Sequence, residues 1–292
     1  MKVELITHTP EIEKVIALAA KNCYTTSSIE QLSNGLTKEV SQKFIEMLMD
    51  LGHESPLEHC SFTFAISDVS RSLLAQITRH RIASFSVQSQ RYVKMGDFKY
   101  VTPNLISKNN AALIAFDQAM HDSTQRYQEI HRALMDQLLA DEYNSILPTE
   151  GENIEGYKTR IERFMSSEQL ERWLSKSLDD VDKTADEMRK NFKKKVVQIE
   201  KIANENARAV LPNAACTQMI LTMNVRELLH FFSLRCCRRA QDEIREVADT
   251  MLSLCREVSP LIFSLAGPGC IRGVCSEGKM SCGAPRKELK IL

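Results

Sequence analysis

CSFTFAISDVSRSLLAQITRHRIASFSVQSQRY runs from Cys60 to Tyr92. Its opening residues alternate. Phe62, Phe64 and Ile66 fall on one side and Ser61, Thr63 and Ala65 on the other, the two-residue period of a strand with one buried face. Asp68 can cap a following helix through its carboxylate, and Leu73, Leu74 and Ile77 then keep a helical period. The helix ends on Arg79, His80 and Arg81, with Ser84, Ser86, Gln88, Ser89, Gln90 and Arg91 close behind. Guanidinium groups offer rigid, planar donor sets that match phosphate oxygens. A helix C-terminus repels anions, so any phosphate held here must be held by side chains. The alternative is that Arg and His only satisfy carbonyls of the last turn. A nucleophilic Ser89 would need a base, and no Gly-x-Ser-x-Gly elbow surrounds it.

Upstream, Val3–Ile6 reads as a short strand. Pro10 suits the start of a helix carrying Ile12, Val15, Ile16 and Ala19. A second helix follows Thr37, with Val40, Phe44, Met47, Leu48 and Leu51 on one side and Gly52 as its stop. Downstream, RYVKMGDFKYVTP suggests a hairpin around Met95–Gly96–Asp97. Residues 110–139 return to a helical period through Leu113, Phe116, Met120, Tyr127, Ile130 and Leu134, with an end expected near Leu147–Pro148. Residues 150–201 are dense in mixed charge. Ile161, Phe164, Leu170, Trp173, Leu174, Leu178, Val181, Val196, Val197 and Ile199 form narrow apolar stripes there, as in a solvated helical arm. A long helix is expected from Thr222 toward Val258. It would set Asn224, Arg235 and Arg239 near one line with Leu228 and Phe232, a cationic stripe beside apolar positions. Glu227, Asp242, Glu243 and Glu246 are the carboxylates that could instead neutralise it, and His230 lies around the helix from Asn224.

The pattern predicts an α+β fold, helix-rich with an antiparallel sheet. Strands do not alternate regularly with helices, which excludes a doubly wound parallel sheet. No Gly-x-Gly-x-x-Gly follows a strand. Residues 1–258 read as one catalytic domain with a charged helical insertion at about 145–203, and 259–292 as a tail containing glycine and cysteine.

The chain has 292 residues, 43% of them hydrophobic, with 38 basic and 38 acidic side chains. That balance gives no general attraction to nucleic acid or membrane, and no apolar run is long enough to span a bilayer. The cytoplasm is the expected setting. Nine cysteines, an odd number, fit reduced thiols better than a disulfide framework. Cys23, Cys60, Cys216, Cys236, Cys237 and Cys255 fall in packed or helical segments and are expected to be mostly buried. Cys270, Cys275 and Cys282 lie among glycines that would let the chain wrap a metal. Their spacing is not a paired C-x-x-C, and three local thiolates fall short of a closed zinc site. No metal is expected.

Arg79 to Ser89, RHRIASFSVQS, resembles the hallmark of the flavin-dependent thymidylate synthases: Arg-His-Arg, seven residues, then Ser. HESPLEH (His53–His59), ARAVLP and NVRELLHFFSLR resemble further segments of that family in the expected order. The resemblance covers roughly residues 1–143 and 202–258 and leaves the charged middle aside. It implies methylation of dUMP to dTMP, with FAD as cofactor, NADPH as reductant and 5,10-methylenetetrahydrofolate as one-carbon donor. It also implies a homotetramer with active sites between subunits. His53, Arg79, His80, Arg81, Asn224 and His230 would serve the flavin. Gln76, Ser89, Arg91, Arg208 and Arg235 would hold dUMP, with Arg235 and Ser89 as the candidate catalytic residues. Three positions depart from familiar members: Val87 replaces a Glu, His230 an Asn, and Arg239 a His. The alternatives are a flavoprotein acting on another pyrimidine nucleotide, a non-methylating NADPH oxidase, and a nucleotide- or RNA-binding protein without catalysis. The last would need a basic surface interleaved with aromatics.

Overall fold

The structure is a computed structural model that describes residues 1–146 and 178–289. The chain divides into two compact units, one of residues 1–88, 99–113 and 213–292, the other of residues 89–98 and 114–212. The expected helix end at Leu147–Pro148, the anchors Ile161, Phe164, Leu170, Trp173 and Leu174, and the side chains of Leu178 and Val181 lie outside the described residues.

The first unit is built on an antiparallel sheet of order β1-β2-β4-β3, from Lys2–His8, Ser61–Ser70, Cys216–Asn224 and Ala83–Val87. The α+β, antiparallel expectation is met. Phe62, Phe64 and Ile66 are at most 1% exposed, so the alternation in the opening stretch reports the buried face correctly. The other face carries small polar groups and is only partly covered, as antiparallel sheets allow. Thr63 and Thr222 stand opposite each other there and hydrogen-bond through their hydroxyls at 2.9 Å.

Against the buried face pack α1 (Ile12–Asn22), α3 (Lys38–Asp50), α4 (Arg71–Ile77), α8 (Val225–Arg235) and α9 (Asp242–Val258). Shorter helices are α2 (Ile29–Gly35), α5 (Asn104–Ser107) and α10 (Pro260–Phe263). α9 buries Ile244, Val247, Ala248, Met251, Leu252 and Cys255 along one stripe. Full burial of each large aliphatic side chain contributes about 1.5–3 kcal/mol. α3 starts at Thr37, whose hydroxyl accepts the Val40 N–H, and ends at Gly52 (φ 70°). There His53 N–H reaches the Leu48 carbonyl and Gly52 N–H the Met49 carbonyl, a Schellman closure. Its apolar row is split: Ile45 and Leu48 are buried, while Val40, Met47 and Leu51 face outward.

Several local expectations are corrected. Asp68 does not cap α4. It sits at positive φ (54°) where the β2–β4 register shifts, and Ser70 is the cap, its Oγ accepting the Leu73 N–H at 3.1 Å. Glu11, not Pro10, immediately precedes α1, and it adopts a left-handed conformation. The hairpin at Met95–Gly96–Asp97 does not form. Within the second unit the Met95 N–H donates to the Tyr127 hydroxyl (3.0 Å) and the Gln128 amide donates to the Gly96 carbonyl. The helix expected from Thr222 to Val258 is a strand and two helices. Residues 236–241 break it, with Arg245 donating to the carbonyls of Arg238 (3.2 Å) and Ala240 (3.1 Å). Among the cysteines expected to be buried, Cys60, Cys236 and Cys255 are, Cys216 and Cys237 are half-buried, and Cys23 is exposed.

The second unit contains most of α6 (Asn110–Ile146) and α7 (Leu178–Ala207). Tyr127 is fully buried on α6, and its hydroxyl donates to Asn204 Oδ1 at 2.9 Å on α7.

Ser70 does two jobs. It caps α4, and its N–H and hydroxyl both donate to the Glu243 carboxylate on α9 (2.6 and 2.5 Å). Ser70→Ala should remove both hydroxyl bonds and cost about 1–2 kcal/mol, read as a lower urea midpoint with an unchanged slope.

Candidate active site

The turn after α4 is closed by its own backbone: Thr78 N–H bonds the Leu74 carbonyl, Arg79 N–H the Gln76 carbonyl and His80 N–H the Ile77 carbonyl. The side chains of Arg79, His80 and Arg81 are therefore not needed as caps. Arg79 and Arg81 are exposed, and His80 is turned inward at 5% exposure.

His80 meets α8. Its Nδ1 lies 2.7 Å from Glu227 Oε1, and its Nε2 lies 3.1 Å from Arg235 Nε. A guanidinium N–H can only donate, so Nε2 is the acceptor and Nδ1–H donates to Glu227. His80 is thus a neutral imidazole joining a carboxylate to a guanidinium. Phe231 packs edge-on against it at 5.0 Å. Burial lowers the His80 pKa from its ordinary 6.5, and the charges of Arg235 and His230 act in the same direction while Glu227 opposes them. The folded pKa lies below the unfolded one, so the unfolded chain binds the proton more readily. The neutral relay therefore stabilises the fold above about pH 6.5, and this contribution is lost as pH falls through the lower folded value. A stability–pH profile should decline from pH 7 toward 5, and the decline attributable to this site should vanish in His80→Gln.

Arg235 is the last residue of α8 and half-buried. Burial and the charge of Arg79 both lower its pKa. Its side chain bonds His80, and it forms no ion pair with a carboxylate among the described residues. Arg79 likewise forms no ion pair among the described residues, so two guanidinium groups stand near each other there without a carboxylate between them.

Asn224, the N-cap of α8, accepts the Glu227 N–H at 2.8 Å. It does not share one straight helix with Arg239, which lies in the turn beyond Arg235 and is ion-paired with Glu277. Asn224, His53 and His230 do line one cavity of about 720 Å³, together with Ile82, Leu229, Ser233 and Leu265. Gln76 is half-buried and donates its amide to Gln241. Ser89, Arg91 and Arg208 belong to the second unit. There Arg91 is held by Glu205 through Nε and Nη2 (both 2.8 Å), and Ser89 Oγ accepts the Arg91 N–H at 3.3 Å. No base hydrogen-bonds the Ser89 hydroxyl among the described residues. Val87 ends β3 opposite Met219 and packs on the core.

Glu227 is the residue that sequence reasoning assigned elsewhere, as a partner for exposed arginines. It is 7% exposed and serves His80. The signal was Asn224 three residues before an acidic residue at the head of an apolar run, a helix-start pattern. His80, Glu227 and His230 also bring ligand atoms within 4.8 Å of one another. Both His80 nitrogens are already engaged, so a metal there would have to break the relay.

A family model described as "Thymidylate synthase complementing protein" matches residues 4–261. The flavin-dependent thymidylate synthase of Clostridium tetani is 41% identical over 291 residues, covering 100% of this chain and 96% of its own. That of Geobacter sulfurreducens is 39% identical, covering 97% and 94%. These alignments run through the charged middle, which the motifs alone had left aside. Among solved structures, a UMP/dUMP methylase PolB from Streptomyces cacaoi, bound with 5-Br dUMP, has the same fold at a TM-score of 0.55 and 20% identity, covering 90% of this chain and 92% of its own.

Proposed function

The chain belongs to the flavin-dependent thymidylate synthase family, and from that membership we propose that it methylates dUMP to dTMP, with 5,10-methylenetetrahydrofolate as one-carbon donor, NADPH as reductant and FAD as cofactor. The observation that carries this reading is the pair Arg79 and Arg235, cations without an ion pair among the described residues, set against the neutral Glu227–His80 relay. Free cations held in place are suited to an anionic, planar ligand.

The residues present fit a flavin. Ile82, Leu229 and Leu265 give the cavity apolar surface, and Asn224, His230, Ser233 and His53 give it hydrogen-bonding groups. That mixture suits a flat ring with polar edges. Arg79 and Arg81, exposed beside it in sequence, are available to its phosphates. When bound and reduced by NADPH, the flavin would supply the hydride that completes the methyl group.

The protein's own part is positioning and charge. Arg235 would hold the uracil ring, and its fixed charge stabilises negative charge developing on a ring carbonyl and favours the deprotonated ring. His80 and Glu227 keep the Arg235 guanidinium aimed, because its Nε–H is committed to His80 Nε2. Gln76, Ser89, Arg91 and Arg208 would take the rest of the nucleotide, chiefly its phosphate. Arg208 forms no ion pair among the described residues and offers its full charge, whereas Arg91 shares its charge with Glu205. Ser89 acts as a donor to substrate, not as a nucleophile. Self-association into a homotetramer with sites between subunits is part of the proposal. Tyr24, Met47 and Leu51, exposed apolar side chains around one groove, supply surface for it. The cytoplasm, where thiols stay reduced, is the compartment proposed.

Val87 favours a second reading, another pyrimidine nucleotide as substrate, because its side chain offers no hydrogen bond. One assay separates the two. FAD-loaded protein is given methylenetetrahydrofolate and NADPH without oxygen, with dUMP or UMP, and the methylated product is quantified. Formation of dTMP is the expected result. Methylation of UMP alone would move the assignment to the second reading, and flavin reduction with no methylated product would overturn both.

A further inference from the structure

We propose that Cys237, Cys270, Cys275 and Cys282 form a tetrathiolate metal site that fastens the C-terminal tail to the end of α8. The tail alone offers three thiols. Folding supplies the fourth: Cys237, from the turn after α8, lines the same cavity of about 490 Å³ as the other three.

Four separate segments are tied around that cavity. A Cβ on Gly269 would lie 3.2 Å from Ser276 Oγ, so the residues flanking Cys270 and Cys275 are packed together and the loop between them is closed. The Arg286 N–H points at Cys270 Sγ (3.4 Å), the geometry by which backbone amides support a metal-bound thiolate. The Arg286 guanidinium bonds the Cys236 carbonyl (2.9 Å) and Asp249 (2.8 Å), which binds the segment after Cys282 to the residue before Cys237. Arg239 pairs with Glu277, joining the Cys237 turn to the loop just beyond Cys275.

The sulfurs line the wall and do not meet at one point. Among the described residues, the set whose ligand atoms converge within 4.8 Å is the His80 group. Cys282 Sγ–H donates to the Ala284 carbonyl (3.5 Å). Gly273, Gly278 and Gly283 punctuate the tail at positive φ, and nothing crowds them. Four thiolates around a divalent ion, or around an iron–sulfur cluster, carry net negative charge. Of the arginines on the same cavity, Arg238, Arg239 and Arg286 are paired with Glu288, Glu277 and Asp249, and Arg235, without a carboxylate partner among the described residues, is the one placed to offset it. The shared chemistry is a metal centre that takes four thiolates; content separates zinc from iron–sulfur.

The test uses the full-length enzyme purified without chelator. Zinc, iron and acid-labile sulfide are measured per chain, and thiols are titrated in the native state before and after metal displacement by a mercurial. The expected result is about one zinc, or iron with matching sulfide, and four thiols that become reactive only on displacement. Cys237→Ser and Cys275→Ser should each lose the metal, and Cys23→Ser should keep it. Wild-type protein free of metal with the four thiols already reactive, or joined as disulfides, would overturn the proposal. So would metal retained in a soluble Cys237→Ser protein. The wild-type titration stands whether or not the variants fold.

Discussion

Arg235→Ala is expected to lower kcat/KM for dTMP formation by about 10²–10³-fold, the typical cost of losing one positioned donor at a site of developing charge. Flavin content should be unchanged, because the cavity suited to the ring is lined by Asn224, His230 and their apolar neighbours, not by Arg235. Arg235→Lys should recover little. Lysine keeps the charge but loses the planar fork, and with it the Nε–H that His80 Nε2 accepts at 3.1 Å. Steady-state kinetics with dUMP varied, alongside flavin absorbance of each variant, provides the measurement. Activity within threefold of wild type in Arg235→Ala would remove Arg235 from the chemistry.

The largest stability effect should come from Phe62→Ala. Phe62 is fully buried on β2, between two strands, with the Phe263 ring edge-on at 5.5 Å and Phe64 stacked at 6.3 Å. Truncation removes the buried ring and leaves a void that a rigid sheet cannot close. The expected cost is about 3–5 kcal/mol, a large part of the 5–15 kcal/mol typical of a domain. Phe62→Leu, which keeps most of the volume, should cost much less. Urea unfolding followed by circular dichroism measures both. A Phe62→Ala loss below about 1 kcal/mol would mean that the β2 face is not the centre of the core.

Local patterns were legible where one period or one cap decided the outcome. The alternation through Phe62, Phe64 and Ile66 gave β2, Thr37 and Gly52 gave both ends of α3, and Met120 and Tyr127 marked the inner face of α6. β4 was equally present, as Thr217, Met219, Leu221 and Met223 against Gln218, Ile220 and Thr222. It was obscured because the helical period of α8 begins at once behind it. The break at residues 236–241 left no trace in composition. No Gly or Pro marks it, and it is held by a side chain from the first turn of the next helix, Arg245, which donates back to the carbonyls of Arg238 and Ala240.

By itself the sequence determined the family, through a fixed spacing from Arg79 to Ser89 and an ordered set of segments, and the antiparallel α+β class, through short-range periodicity. Both are properties of residues near one another in the chain. The tertiary structure alone decided which charges stay free. Among the described residues Arg79 and Arg235 form no ion pair, whereas Arg91 and Arg239 are taken by Glu205 and Glu277. It alone made Glu227 the partner of His80, 147 residues away in the chain, and brought Cys237 to the cavity of the tail cysteines. Pairing across such separations depends on how the sheet and helices pack, and packing is a property of the whole fold, which no local spacing encodes.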